Sequence, residues 1–207
     1  MMTEEEVTHV EQDAKEEEYF TNVLLFDKYD LTEIVINDGG LGKYIDLSPT
    51  SIPVSGGKHA NRWFGKSRMS IVERLINNMM RTGNYTGKKG KSYQVVKDAF
   101  AIIQERTKKN PVQSLVEALE NVAPREEVTR LRFGGISVPK AVDISPSRRL
   151  DIALRNISRG AVASTFKNKK TIANCLAEEI LLAARGDMNS FAVSKKEEIE
   201  RVAGSAR

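Results

Sequence analysis

Two short stretches, Gly65-Lys66-Ser67 and Gly90-Lys91-Ser92, carry residue types that can cradle a nucleotide phosphate. A phosphate loop also needs a glycine five positions before its second glycine, where the backbone bends round the anion. Those positions hold Ala60 and Tyr85, and neither stretch follows an apolar strand, so nucleotide hydrolysis is disfavoured. Nucleophilic catalysis by serine or thiol would need a general base. The histidine outside the acidic N-terminal stretch is His59, flanked by Lys58 and close to Arg62, and no triad surrounds it. Cys175 falls on the apolar stripe of a predicted helix and reads as a small buried hydrophobe. The adjacent pairs Glu126-Glu127 and Glu178-Glu179 read as solvated or ion-paired carboxylates. One cysteine and two histidines do not make a zinc site. No enzyme, metal or cofactor is expected.

The cations suggest a different chemistry. Between Lys58 and Lys91 stand nine bases (Lys58, Arg62, Lys66, Arg68, Arg74, Arg81, Lys88, Lys89 and Lys91) against one acid, Glu73. Local ion pairing cannot absorb nine against one, and the pattern suits phosphate contacts. Gly56, Gly57, Asn61 and Ser67 would let the backbone approach phosphates. Trp63 and Phe64 could stack on a base or fill the interior; in a chain with 6% aromatic residues, Trp63 is expected in the core. Arg130 and Arg132 lie two apart on a predicted strand and share a face opposite Leu131 and Phe133. Arg148 and Arg149 fall in the first turn of a predicted helix, where the macrodipole disfavours cations, so either an anion or a salt bridge is expected beside them.

These residues need scaffolding, and the apolar periodicity supplies it. Ile71, Val72, Leu75, Ile76, Met79 and Met80 recur at helical spacing, with Gly83 as a stop. A basic loop over 83–90 leads to a helix with Val95, Val96, Ala99, Phe100 and Ile103 on one face. Asn110-Pro111 is a cap followed by a first-turn proline, opening a helix that runs towards Pro124. Val128–Phe133 and Ile136–Val142 form a hairpin about Gly134-Gly135. Ser145-Pro146 opens another helix through Leu150, Leu154, Ile157 and Ala161, and a basic link (Lys167, Lys169, Lys170) follows. A helix carrying Ile172, Cys175, Leu176 and Ile180 closes at Gly186. Ser194 with Glu197 reads as a capping box for a short last helix through Val202. The expected fold is mainly α, a bundle of about six helices with one β-hairpin.

Residues 1–23 read as an acidic, solvated arm, and 24–67 as an irregular extension with a basic loop suited to nucleic acid, an RNA-binding loop on the resemblance given below. Residues 68–207 form the helical domain, with the ribbon at about 126–144. Within 19–56 only one or two short extended pieces are expected. The net charge of +4 hides an asymmetry, since ten acids and two bases in the first thirty residues leave a body of net charge +12. A body this basic favours an anionic partner, nucleic acid before an acidic membrane surface. No signal, transit or membrane-spanning pattern is present, and a reducing intracellular compartment fits the single cysteine.

The collinear segments "IVERLINNMMRTG", "GKKGKSYQVVKDAFAIIQERTKKNPVQSLVEALENVAPREEVTRLRFGG", "AVDISPSRRLDIALRNISRGA", "KTIANCLAEEILLAARG" and "AVSKKEEIERVA" closely resemble the universal small-subunit ribosomal protein family numbered seven, or five in eukaryotic counting. The acidic N-terminal extension and the ending "ERVAGSAR" are similar to the eukaryotic form. The resemblance implies a helical domain with a protruding ribbon. It also implies binding to the three-prime major domain of small-subunit rRNA and a role in assembling the head beside neighbouring ribosomal proteins. It makes rRNA contacts of Lys58, His59, Asn61, Arg62, Lys66, Arg68, Arg74, Lys88, Lys89, Lys91, Arg148, Arg149, Arg155, Lys167, Lys169 and Lys170. Arg130, Arg132, Gly134, Gly135 and Lys140 would form a ribbon near exit-site tRNA and the mRNA path, and Lys195, Lys196, Arg201 and Arg207 would lie near the mRNA exit. The implied location is the cytoplasmic ribosome, with a nucleolar stage during assembly. A helical DNA-binding regulator reading bases with Arg155, Asn156 and Arg159 is the alternative.

Overall fold

The computed structural model describes residues 23–81 and 83–207, so the acidic arm expected at 1–23 lies, but for Val23, outside the described residues. Among the described residues six long helices and one hairpin follow in order: α1 (Ile71–Met79), α2 (Lys89–Thr107), α3 (Pro111–Val122), β1 (Glu126–Phe133), β2 (Ile136–Asp143), α4 (Pro146–Thr165), α5 (Ile172–Ala184) and α6 (Phe191–Ser205). This is the expected mainly α architecture with a β-hairpin. The 83–90 loop is shorter than expected, because α2 already begins at Lys89.

Helix α5 is the hub, packed on α2, α3 and α4. Its buried Ala173, Cys175, Ala177 and Ala183 are small, which lets three neighbours approach, while Leu176 and Ile180 fill the space between them. Cys175 is the buried hydrophobe expected, and burial pushes its thiol pKa up. Gly186 adopts φ 67°, the left-handed conformation that ends the helix while Asp187 N–H bonds back to the Leu182 carbonyl. At α3, Asn110 accepts from the Val112 N–H at 3.0 Å, as its pairing with Pro111 predicts. Ser145 precedes α4 as expected but makes no side-chain cap bond.

The stretch before α1 is irregular, with isolated bridges at Leu25–Tyr29 and Asp46–Ser70, one α-helical turn, Gly39–Gly42, capped by Asp38, and two 3-10 turns just before α1. It is nonetheless part of the core: Leu25, Phe26, Tyr29, Leu31, Leu41 and Ile45 are buried in the same cluster as the helices. Phe26 meets Tyr93 edge-on at 5.2 Å and Phe100 at 6.1 Å, and Tyr29 meets Phe100 at 6.2 Å. These ring pairs clamp the 25–29 turn onto α2.

The hairpin has its expected two-residue turn, with Gly134 at φ 54° and Gly135 at φ 89°. Its register pairs Leu131 with Val138 and Thr129 with Lys140. Lys140 therefore shares the face of Leu131, opposite Arg130 and Arg132. The base of the ribbon is held from two sides. Arg148 of α4 forks onto Glu127 at 2.7 and 2.8 Å. From the end of α6, Arg207 pairs with Glu126 and the Ala206 carbonyl accepts from the Ala141 N–H.

Two expectations fail at the last helix. It starts at Phe191, not near Ser194, with Ser190 as the cap accepting from the Val193 N–H. Glu179 is neither solvated nor ion-paired. It is 5% exposed, and its Oε1 accepts from the Ser190 hydroxyl at 2.8 Å and the Ala192 N–H at 2.9 Å. A buried carboxylate is tolerated here because the N-terminus of α6 supplies both donors and a favourable dipole. Gly160 makes room for this junction, since a Cβ there would lie 2.9 Å from Phe191 Cβ and 3.0 Å from Glu179 Cδ. Glu179→Ala should remove two charge-assisted hydrogen bonds, leave the Ala192 N–H unsatisfied, and cost about 1–3 kcal/mol. Urea denaturation would show it as a lower midpoint, and Glu179→Gln should recover part of the loss.

Candidate nucleic-acid interface

The loop before α1 is two tight turns, Lys58–Asn61 and Gly65–Arg68, folded against each other. Gly65 is required at their contact: a Cβ on it would lie 2.3 Å from the His59 carbonyl oxygen. Phe64 takes the left-handed conformation at φ 54°, and its carbonyl accepts from the Ser67 hydroxyl at 2.6 Å. Bent this way, the chain cannot tuck its aromatic residues inward. Trp63 is 94% exposed and Phe64 71% exposed, so the expectation that Trp63 fills the core is corrected. The interior is already filled by aliphatic side chains and by Phe26, Tyr29 and Phe100.

Three concavities that share lining residues join into one trough. The loop end is lined by Lys58, His59, Asn61, Arg62 and Arg68; the middle by His59, Lys66, Asn77, Arg81 and Arg155; the far end by Arg81, Arg155, Ser158 and Arg159. Helices α1 and α4 form its walls, because they pack side by side and both turn polar edges outward. Lys58, Arg62, Arg68, Arg81, Arg155 and Arg159 are exposed, and among the described residues none has a carboxylate within 4.0 Å. Among the described residues Asp151 is the sole carboxylate lining the trough, and it is neutralised twice, by Lys66 and by Arg74 at 3.0 Å. Unopposed cations along a concave floor focus a positive potential that suits a phosphate backbone.

Other predicted contacts are engaged inside the protein. Arg74 is 3% exposed and donates to the Tyr44 carbonyl and to Asp151, both at 3.0 Å. Lys89 pairs at 2.7 Å with Glu73, itself 2% exposed. Arg149, its side chain 11% exposed, pairs at 2.9 Å with Asp38, whose carboxyl stays below its ordinary pKa because hydrogen bonds and charge from Arg149 outweigh the burial that would raise it. Arg148 is held by Glu127, Lys170 by Glu178, Lys195 by Glu198 and Arg207 by Glu126. For Arg148 and Arg149 the expected salt bridges are present, and a direct phosphate contact by Arg74, 3% exposed, is corrected on steric grounds.

Lys88, Lys91, Lys167 and Lys169 are exposed but do not line the trough, nor do the ribbon's exposed Arg130, Arg132 and Lys140. Arg201 lines a separate concavity of mixed charge with Glu197 and Glu198, and Lys196 is half-buried on the same helix. Arg81 and Arg159 line the trough although the resemblance does not make them rRNA contacts; the sequence offers Arg81 only as one of the nine bases and Arg159 only in the DNA-reading alternative. Arg155 and Arg159 are one helical turn apart, and that spacing was the available signal. Asn156, grouped with them as a possible base reader, is 8% exposed and faces inward.

Among the described residues no group of three or more His, Cys, Asp or Glu could hold a metal ion, and no helix is long and apolar enough to cross a membrane.

Asp151 sets a pH dependence. Burial raises its pKa, but hydrogen bonds and charge from Lys66 and Arg74 outweigh burial and hold the carboxyl below its ordinary value. A depressed folded-state pKa stabilises the fold above the unfolded value, about 4, and the contribution fades as pH falls below it. Asp151→Asn should therefore lower the urea midpoint at neutral pH by an amount equivalent to about 1–3 kcal/mol. The gap from the parent protein should narrow on acidification below about pH 4. A gap independent of pH would contradict this account.

The comparisons agree with the resemblance. Residues 43–207 match the family model described as ribosomal protein S7p/S5e. The small ribosomal subunit protein uS7 of Archaeoglobus fulgidus is 58% identical over 185 residues, covering 89% of this chain and 95% of that protein. The uS7 of Thermoplasma volcanium is 57% identical over 184 residues, 89% of this chain and all of that protein. That of Methanothermobacter thermautotrophicus is 56% identical over 183 residues, with 88% and 98% covered. With most of its length matched and its helices, hairpin and basic trough in place, this chain belongs to the ribosomal protein S7p/S5e family.

Proposed function

We propose that this protein holds small-subunit rRNA in the trough between α1 and α4, with the 58–68 loop closing one end. Its class follows from its family: it is a structural ribosomal protein, with rRNA and neighbouring ribosomal proteins as partners, and not an enzyme. The observation that carries the trough assignment is the continuous line of exposed Lys58, Arg62, Arg68, Arg81, Arg155 and Arg159, with Asp151 already neutralised. Phosphate contacts of this kind set affinity and register without reading sequence, so selectivity comes from the shape of the folded RNA.

The finer reading follows the resemblance. The rRNA region is the three-prime major domain, and the protein helps assemble the head there. The ribbon, with Arg130, Arg132 and Lys140 exposed, extends towards exit-site tRNA and the mRNA path. The segment from Lys195 to Arg207 lies near the mRNA exit, with Arg201 the cation most available on it. The protein works in the cytoplasmic ribosome, after a nucleolar stage where the cell has one. The DNA-regulator alternative loses its reading head, because Asn156 is buried between Arg155 and Arg159.

Filter binding to a fragment of the rRNA head over a range of salt tests the assignment. Replacing Arg81, Arg155 and Arg159 by alanine should weaken binding and flatten the plot of log affinity against log salt by about 0.7–0.9 for each phosphate no longer neutralised. Thermal stability should hardly change, because these side chains are exposed and unpaired. An unchanged slope would remove the trough from the interface.

A further inference from the structure

The sole tryptophan of the chain is nearly fully exposed at 94%, and its neighbour Phe64 is 71% exposed. Among the described residues neither ring pairs with another aromatic ring or lies beneath a cation, and both rings are open to solvent. An exposed tryptophan is ordinary on a floppy segment, but this segment is fixed at both ends. Upstream, the Ser55 N–H and hydroxyl donate to the buried Glu73 at 2.9 and 3.1 Å. Downstream, Lys66 pairs with Asp151 on α4. Between these anchors Gly65 abuts the His59 carbonyl, and the Gly65 N–H bonds the Arg62 carbonyl at 3.1 Å. The aromatic pair is thus presented outward on a preformed turn.

The surrounding charge selects what the rings meet. From residue 47 to residue 72 the chain holds Lys58, Arg62, Lys66 and Arg68 and no acid. An apolar protein partner would have to bury these cations, whereas a nucleic-acid strand would neutralise them as its bases reach the rings. Bases inside a duplex are already stacked, so only an unpaired base has a free face to offer.

We infer that Trp63, with Phe64 beside it, is a stacking platform for an unpaired RNA base at the loop end of the trough. The inference rests on the rRNA reading and sharpens it: the backbone follows the cations, and an unstacked nucleotide is captured at the aromatic turn. Stacking tolerates any base, so the site selects single-strandedness rather than sequence.

Because Trp63 is the only tryptophan, its fluorescence in the full chain reports this contact alone. Two RNA probes suffice: a ten-nucleotide single-stranded oligoadenylate and a blunt-ended, fully paired RNA duplex of equal phosphate number. The oligoadenylate should quench Trp63 emission saturably, and the duplex should bind with little quenching. Trp63→Ala should weaken oligoadenylate binding at least about fivefold, the low end of what one base–aromatic stack contributes, and leave duplex binding unchanged. Trp63→Phe should restore part of the loss, because it keeps a π face, and Trp63→Leu should not. Equal binding by the alanine variant, or full rescue by leucine, would overturn the stacking role while leaving the trough reading intact. Failure of the parent protein to bind either RNA would overturn both.

Discussion

Glu73 and Arg74, neighbours on α1 and both almost without solvent, set the terms for the rest of the structure. A buried charge is tolerated only when paired and hydrogen-bonded, and these two are satisfied from four directions. Glu73 takes donors from Ser55 and from Lys89 in the first turn of α2; Arg74 finds Asp151 on α4 and the Tyr44 carbonyl. One helical turn therefore ties the irregular N-terminal stretch, the basic loop and two helices to a single point. The exposed loop cations are held in place by a network centred on Glu73 and Arg74, which lie almost without solvent. The trough is therefore shaped in the free protein, which leaves little ordering to do if a partner binds there.

The same network explains which parts of the molecule were readable in the chain. Helix α1, the Asn110-Pro111 start of α3, the Gly134-Gly135 turn and the Gly186 stop are written in residues a few positions apart, and each stands where its local pattern points. The fate of individual cations was not readable. Arg149 is neutralised by Asp38, over a hundred positions earlier, and Arg74 by Asp151, far downstream. A count of bases against acids in one stretch cannot see such partners. It identified a basic surface correctly while placing on it several residues that hold the fold together. That Arg81, inside the counted stretch, and Arg159, outside it, line the same trough becomes visible only when α1 and α4 are set side by side.

Trp63 and Glu179 fail the ordinary burial rules in opposite directions, and each for a local reason. Large apolar side chains belong inside when the backbone can deliver them. The Gly65 contact and the left-handed Phe64 turn the chain outward just where the aromatic pair occurs. A carboxylate belongs outside unless donors await it, and the first turn of α6 provides two. That capture also moves the start of α6 forward to Phe191, which is why the Ser194–Glu197 pair, plausible as a cap on its own, lies inside the helix. In both places the deciding interaction is tertiary: a carbonyl from one turn against a glycine of the next, and a side chain of α5 against the end of α6.

The ribbon shows how the body controls an element that could not stand alone. An isolated two-stranded hairpin is marginal in water, and here Leu131, Ile136 and Val138 remain exposed, so side-chain burial does little for its outer half. Its inner half is clamped instead, by Arg148 of α4 on Glu127 and by the end of α6 on Glu126 and Ala141. Arg207, one of the C-terminal cations expected near the mRNA exit, is thereby part of the base that holds the ribbon. A tip left apolar on one face and arginine-bearing on the other, on a base fixed by two helices, keeps a defined direction without a core of its own. The Arg148 and Arg207 ion pairs thus act on the reach of the ribbon through its aim.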